Sequence, residues 1–126
     1  MPFIHIKSLP FKKDINLENV ITGISIDFAR NTGINIEHVS VTWEFFRSSH
    51  YVHAGKTAVD QPQDSHPVLV DFLSPDFNST EKIGKMLSTI ANSISQRIGV
   101  PLVNIFINHR QAHSGMVFDD GEIVGW

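Results

Sequence analysis

The residue of this chain best placed to do chemistry is the second. Pro2 follows Met1 and opens an alternating run, Phe3-Ile4-His5-Ile6-Lys7, of the kind that forms a strand. Removal of Met1 would convert the Pro2 nitrogen from an amide into a rigid secondary amine. An α-amino group titrates near ~8, and burial or a nearby cation lowers that value toward neutrality, which makes a usable general base. With Met1 retained, the nitrogen has no basic lone pair. Proline is also at home at the first residue of a strand, where no ladder donor is required, so position alone leaves both readings open.

The other reactive side chains form weaker constellations. Of seven histidines, His50 and His53 flank Tyr51, and His109 and His113 stand four apart. That spacing shares a face only in a helix, and neither pair lies in a helical pattern. Without cysteine or a compact carboxylate cluster beside them, they read as solvated loop residues, and no metal is expected. The lack of cysteine also excludes disulfides and a thiol nucleophile. Asp119-Asp120 before Gly121 is a turn signature. Ser48, Ser49 and Ser114 lack the strand-to-helix elbow of a nucleophilic serine. The glycines have no phosphate-cradling spacing, so no cofactor is expected. Arg47 and Arg110 follow corresponding strands and could line a site for anions or be ordinary surface charges.

These residues need a scaffold, and 126 residues with 41% apolar content supply one ordinary globular domain. The net charge of −3 argues against nucleic acid as a partner. No apolar run approaches the ~18 residues of a membrane span, and the start lacks a basic-then-apolar leader. Neither a membrane nor export is expected, and the cytoplasm is the default location.

The chain reads as two similar halves, about 1–55 and 67–126, joined by a polar linker at 56–66. The first half predicts a strand (2–8), a helix (17–32), Gly33 and a strand (39–46). The second predicts a strand (67–73), a helix (79–98), Gly99 and a strand (103–108). Leu17, Val20, Ile21, Ile24 and Phe28 give the first helix an apolar face, and Ile83, Met86, Leu87, Ile90, Ile94 and Ile98 repeat it. Asn16 is the expected N-cap of the first helix, and Asn78 with Glu81 forms an expected capping box for the second. Gly33 and Gly99 suit the left-handed position beyond each helix. The fold class is therefore α/β (α+β): tandem βαβ units forming a four-stranded mixed sheet with both helices on one face. Phe46 and Phe106 alternate onto the opposite face, which no third helix can cover, so subunit association is expected to cover it. Each half ends in an irregular tail with a short extra strand, a candidate to pair with a neighbouring sheet edge.

Pro2 behind Met1, two βαβ units and a glycine-bearing tail after each together resemble the tautomerase superfamily, the group of 4-oxalocrotonate tautomerase and macrophage migration inhibitory factor. The local matches are Pro2-Phe3-Ile4-His5-Ile6, Ile105-Phe106-Ile107-Asn108 and Asp119-Asp120-Gly121-Glu122-Ile123. The resemblance implies a homotrimer that moves a proton within a small enol or 2-oxo acid without a cofactor. Pro2 matches the catalytic base. Lys12, or alternatively Lys13, falls near a carboxylate-binding arginine. Phe106 stands where relatives carry Tyr or Arg and cannot donate a hydrogen bond, whereas Asn108 matches a site asparagine. Both would come from a neighbouring subunit, and Arg110 is a further candidate for the carboxylate. Ile34 replaces a site lysine of the inhibitory-factor branch. Ser74-Pro75-Asp76-Phe77 lacks the arginine pair of the decarboxylase and dehalogenase branches. A catalytically inactive binding or assembly protein of the same fold is the alternative implied by these departures.

Overall fold

Alternation in the strands decides which side of the sheet each residue joins. In the computed structural model, residues 2–61 and 66–126 are described. They form β1 (Phe3–Ser8), α1 (Leu17–Thr32), β2 (Ser40–Phe45), β3 (Val52–His53), β4 (Lys56–Thr57), β5 (Val68–Pro75), α2 (Thr80–Ile98), β6 (Ile105–Ala112), β7 (Val117–Asp119) and β8 (Glu122–Val124). Short 3-10 helices, Ile36–His38 and Leu102–Asn104, lead into β2 and β6. The main sheet has the order β2-β1-β5-β6. β1 pairs parallel with β2, and β5 with β6, while the two units meet through antiparallel β1 and β5. This is the expected pair of βαβ units in one mixed sheet.

One core joins the two halves. Ile4, Ile6, Val68, Val70 and Phe72 from the central strands are buried against Val20, Ile24 and Phe28 of α1 and Met86, Ile90 and Ile94 of α2. Phe28 and Phe72 meet edge to face at 5.6 Å. Asn16 caps α1 as expected, and Gly33 and Gly99 close the helices at φ 75° and 73°, a region that disfavours side chains bearing a β-carbon. The cap of α2 differs: Ser79 accepts from Lys82 N, and Asn78 instead donates to the Pro75 carbonyl. Ser79 is nearer the first helical residue and presents its hydroxyl to the free amides.

One further expectation, the end of β6, is corrected. β6 continues to Ala112 because β5 runs to Pro75 and pairs with it along its length, so His109 and Arg110 belong to the sheet and not to a tail. Each tail folds on itself: β3 pairs with β4 and β7 with β8, because Ala54-Gly55 and Asp120-Gly121 supply consecutive left-handed residues for tight turns. Part of the expected linker is docked on the loop after β1, where Gln61 is fully buried and exchanges backbone hydrogen bonds with Pro10 and Lys12. Residues 62–65 of that linker lie outside the described residues.

The helices are clamped by one carboxylate. Asp27 on α1 accepts from Ser93 Oγ at 2.6 Å and from Arg97 Nη2 at 2.9 Å on α2. Partial burial by itself disfavours the charge, but these hydrogen bonds and the Arg97 and Arg30 guanidiniums outweigh it and hold the carboxyl below its ordinary 3.8. Arg97 lies over Gly23, where a β-carbon would meet its guanidinium. Asp27→Asn is expected to cost about 1–2 kcal/mol, at the low end for charged hydrogen bonds because both ends are partly in water. A folded pKa below the unfolded one contributes stability above the unfolded value and loses it as pH falls through the folded value. The stability gap between wild type and Asp27→Asn in urea melts should therefore be full at pH 7 and close below about pH 4.

Candidate active site

Pro2 is buried at the head of β1, on the helix-covered side that Ile4 and Ile6 also face. Its carbonyl accepts from Ser40 N at 3.0 Å, which ties it to the start of β2. Beside it opens a cavity of about 360 Å³ lined by Pro2, Ile34, His38, Ser74, Phe77, Lys82 and Trp126, among others. The 3-10 helix before β2 places His38, and its cap, Asn35, accepts from Glu37 N. The exit of β5 delivers Ser74, and the first turn of α2 delivers Lys82. A second cavity of about 730 Å³ also touches Pro2 and His38 but carries Glu37, Asp119 and Asp120. Asp119 lines both cavities, so the potential base faces Lys82 and apolar walls with one carboxylate on one side, and three carboxylates on the other.

The aromatic wall is held by a small network. Asp76 accepts from Trp126 Nε1 at 2.7 Å through one oxygen and bonds His113 Nδ1 at 2.9 Å through the other. The Trp126 ring meets Phe77 edge to face at 5.7 Å. The hydrogen bonds from His113 and then Trp126 hold the Asp76 carboxyl below its usual range. Asp76 is therefore committed to the wall, and among the described residues Lys82 makes no ion pair. A lysine of this kind, beside apolar surface, can bind a carboxylate.

Of the expected site residues, only Pro2 reaches this cavity within one chain. Lys12 and Lys13 are exposed in the loop after β1, beyond a strand of six residues and about 20 Å from the proline end. The antiparallel pairing of β1 with β5 is the reason: it brings the second unit's strand-to-helix passage, not the first's, to Pro2. Phe106, Asn108 and Arg110 lie on the sheet's open face, with Phe106 58% exposed. There Asn108 donates to Asp71 at 3.4 Å, and Arg110 stands 3.6 Å from the same carboxylate. His109 is no solvated loop residue. It faces the helix side, bonds Ser74 Oγ at 2.7 Å and packs on Phe72.

Sequence reasoning missed Lys82, His38, Ser74 and Trp126. The available signal was modest: Ser74 continues the buried alternation Val68, Val70, Phe72, and Lys82 precedes buried Met86 by one helical turn. Trp126 gave no signal, because a loop tryptophan has no periodicity.

Comparison with known proteins agrees with this architecture. No family model matches the chain. A protein of Staphylococcus saprophyticus named a probable tautomerase is 33% identical over 61 residues, which is 48% of this chain and all of that relative. The chain belongs to the tautomerase superfamily. The relative is about as long as one βαβ unit, which fits a chain built of two. Among solved structures, a wild-type fused 4-OT symmetric trimer superposes with a TM-score of 0.82 at 9% identity, covering 97% of this chain and 94% of that one. A macrophage migration inhibitory factor homologue from Prochlorococcus marinus gives 0.75 at 16% identity, covering 98% and 99%. A member of the cis-3-chloroacrylic acid dehalogenase family gives 0.77 at 11% identity, covering 97% of this chain and 82% of that one. These likenesses establish the tautomerase fold. Among the described residues, no helix is long and apolar enough to cross a membrane.

The wall makes a direct prediction. In a Trp43→Phe background, which leaves Trp126 as the one tryptophan, Asp76→Ala should release the indole. Emission should move to longer wavelength and acrylamide quenching should rise, while far-ultraviolet circular dichroism stays unchanged.

Proposed function

We propose that this protein is a tautomerase that moves a proton within a small enol or 2-oxo acid, with Pro2 as the general base once Met1 is removed. The observation that carries the reading is the burial of Pro2 at a cavity whose described lining sets Lys82, which makes no ion pair among the described residues, and Asp119 among apolar and aromatic groups. Burial and the Lys82 ammonium both disfavour a protonated amine, while the Asp119 carboxylate favours it, and a base that works near neutrality requires the first two to prevail. Lys82 holds the substrate carboxylate, taking the part expected of Lys12, Lys13 or Arg110. Phe77 and Trp126 shield the reacting carbon from water, which strengthens each electrostatic contact. Pro2 removes a proton at one atom of the conjugated system and returns it at another, so the substrate isomerises without gain or loss of atoms.

The protein acts as a homo-oligomer, in our reading a trimer. The open sheet face carries Phe3, Phe106 and partly covered Leu69 and Leu73, and the β7–β8 hairpin exposes Met116, Phe118 and Ile123. Apolar surface of this extent marks an interface, and a fused 4-OT of the same fold is described as a trimer. Association would also bring Phe106, Asn108 or Arg110 of one copy toward the Pro2 cavity of another. Sedimentation should give about three times the 14.1 kDa chain mass; a monomer at micromolar concentration contradicts this part of the proposal.

The catalytic reading is tested by intact mass from native cells followed by phenylenolpyruvate ketonisation. Loss of Met1 is expected. Pro2→Ala should lower kcat about 10²–10⁴-fold, the range for removing a general base. Lys82→Gln should raise KM about 10-fold or more with a smaller change in kcat, the pattern of lost carboxylate binding. Retained Met1 or absence of turnover would favour the inactive binding or assembly protein, and turnover indifferent to Pro2→Ala would remove Pro2 from the mechanism.

A further inference from the structure

Ser74 is a buried cavity residue to which this proton transfer assigns no task. The register that pairs Ile4 with Phe72 and Phe3 with Leu73 sets Ser74 across from Pro2, on the same helix-covered side. Residues so opposed hold their β-carbons about 5 Å apart. Ser74 is fully buried and lines the cavity beside Pro2. A hydroxyl withdrawn from water needs a partner, and this one has His109 Nε2 at 2.7 Å. His109 is itself held, since β6 registers it beside Phe72 and its ring lies on that phenyl with centroids 5.3 Å apart.

Burial lowers the pKa of His109 from its ordinary 6.5, which keeps the imidazole neutral at pH 7. A neutral imidazole offers one nitrogen lone pair, so it can accept the serine proton and leave the oxygen lone pairs free. We propose that Ser74, oriented by His109, is a positioning residue for Pro2: its hydroxyl donates to His109 Nε2, and its oxygen accepts from the protonated Pro2 amine. This deepens the reading of Pro2 as the base and rests on it. The acceptor fixes the direction of the amine N–H pair, so that the second hydrogen points into the cavity toward the substrate carbon. It also stabilises the protonated form, opposing Lys82 and holding the amine from becoming too weak a base.

The test reads the amine itself and not turnover. Protein labelled with 15N-proline, freed of Met1 and checked by mass, is titrated by NMR at the Pro2 nitrogen. Ser74→Ala should increase the acid dissociation constant of the amine about tenfold, a fall of about one pH unit. His109→Phe should move it the same way, because the serine proton then loses its acceptor, and Ser74→Thr should stay at the wild-type value. Lys82 from α2, Glu37 and His38 from the 3-10 helix, and Asp119 and Asp120 from the hairpin also face Pro2. They are present in every variant, so the difference isolates the hydroxyl. Should Ser74→Ala fail to fold, His109→Phe against Ser74→Thr carries the same decision. An amine pKa unchanged in the Ala and Phe variants overturns this inference and leaves Pro2 as the base. A retained Met1 removes the amine and overturns both.

Discussion

The antiparallel meeting of β1 and β5 is the constraint on which the site depends. Each βαβ unit is internally parallel, so its own strand-to-helix loop lies at the far end of its first strand from that strand's start. Only a partner running the other way can bring a loop, a helix N-terminus and a cation to the head of β1. β5 does this, and with it come Ser74, Phe77 and Lys82. The same pairing buries Ile4, Ile6, Val70 and Phe72 in one core, so cohesion and site geometry rest on a single set of ladder hydrogen bonds.

The repeat, the helices and their ends were legible because their signals are local. Apolar spacing of three and four residues requires a covered face, and Gly33 and Gly99 mark positions that disfavour other residues. Pro2 was legible because strand starts admit proline and because the surrounding pattern resembles a known family. The cavity around it was not, since its walls are separated in sequence by as much as the distance from Pro2 to Trp126. Lys12 and Lys82 look equivalent on paper. What separates them is the relative direction of two strands about 60 residues apart, and no periodicity encodes that.

His109 shows the same limit at the scale of one residue. Read as a loop residue it would be a solvated titrating group, but two-residue alternation along a longer β6 turns it inward onto Phe72 and Ser74. The neighbouring Asn108 and Arg110 alternate outward and share Asp71. A strand boundary shifted by four residues thus changes which side chains belong to water and which to the interior. The exposed ion pairs on that open face contribute little by themselves in solvent. Their environment would change if a second copy covered them.

The internal repeat also has an asymmetry built into it. Pro67 stands at the head of β5 as Pro2 stands at the head of β1, yet its nitrogen is bonded within the polypeptide and can never become an amine. The pseudo-equivalent end of the sheet is therefore released from any demand for a proton acceptor. That end is packed instead: buried Gln61 accepts from Leu9 N and donates to the His66 carbonyl, and Phe11 meets Trp43 and Phe45 edge to face. The two ends of the repeat therefore differ in kind: one holds a cavity beside its proline, and the other is packed with Gln61, Phe11 and Trp43.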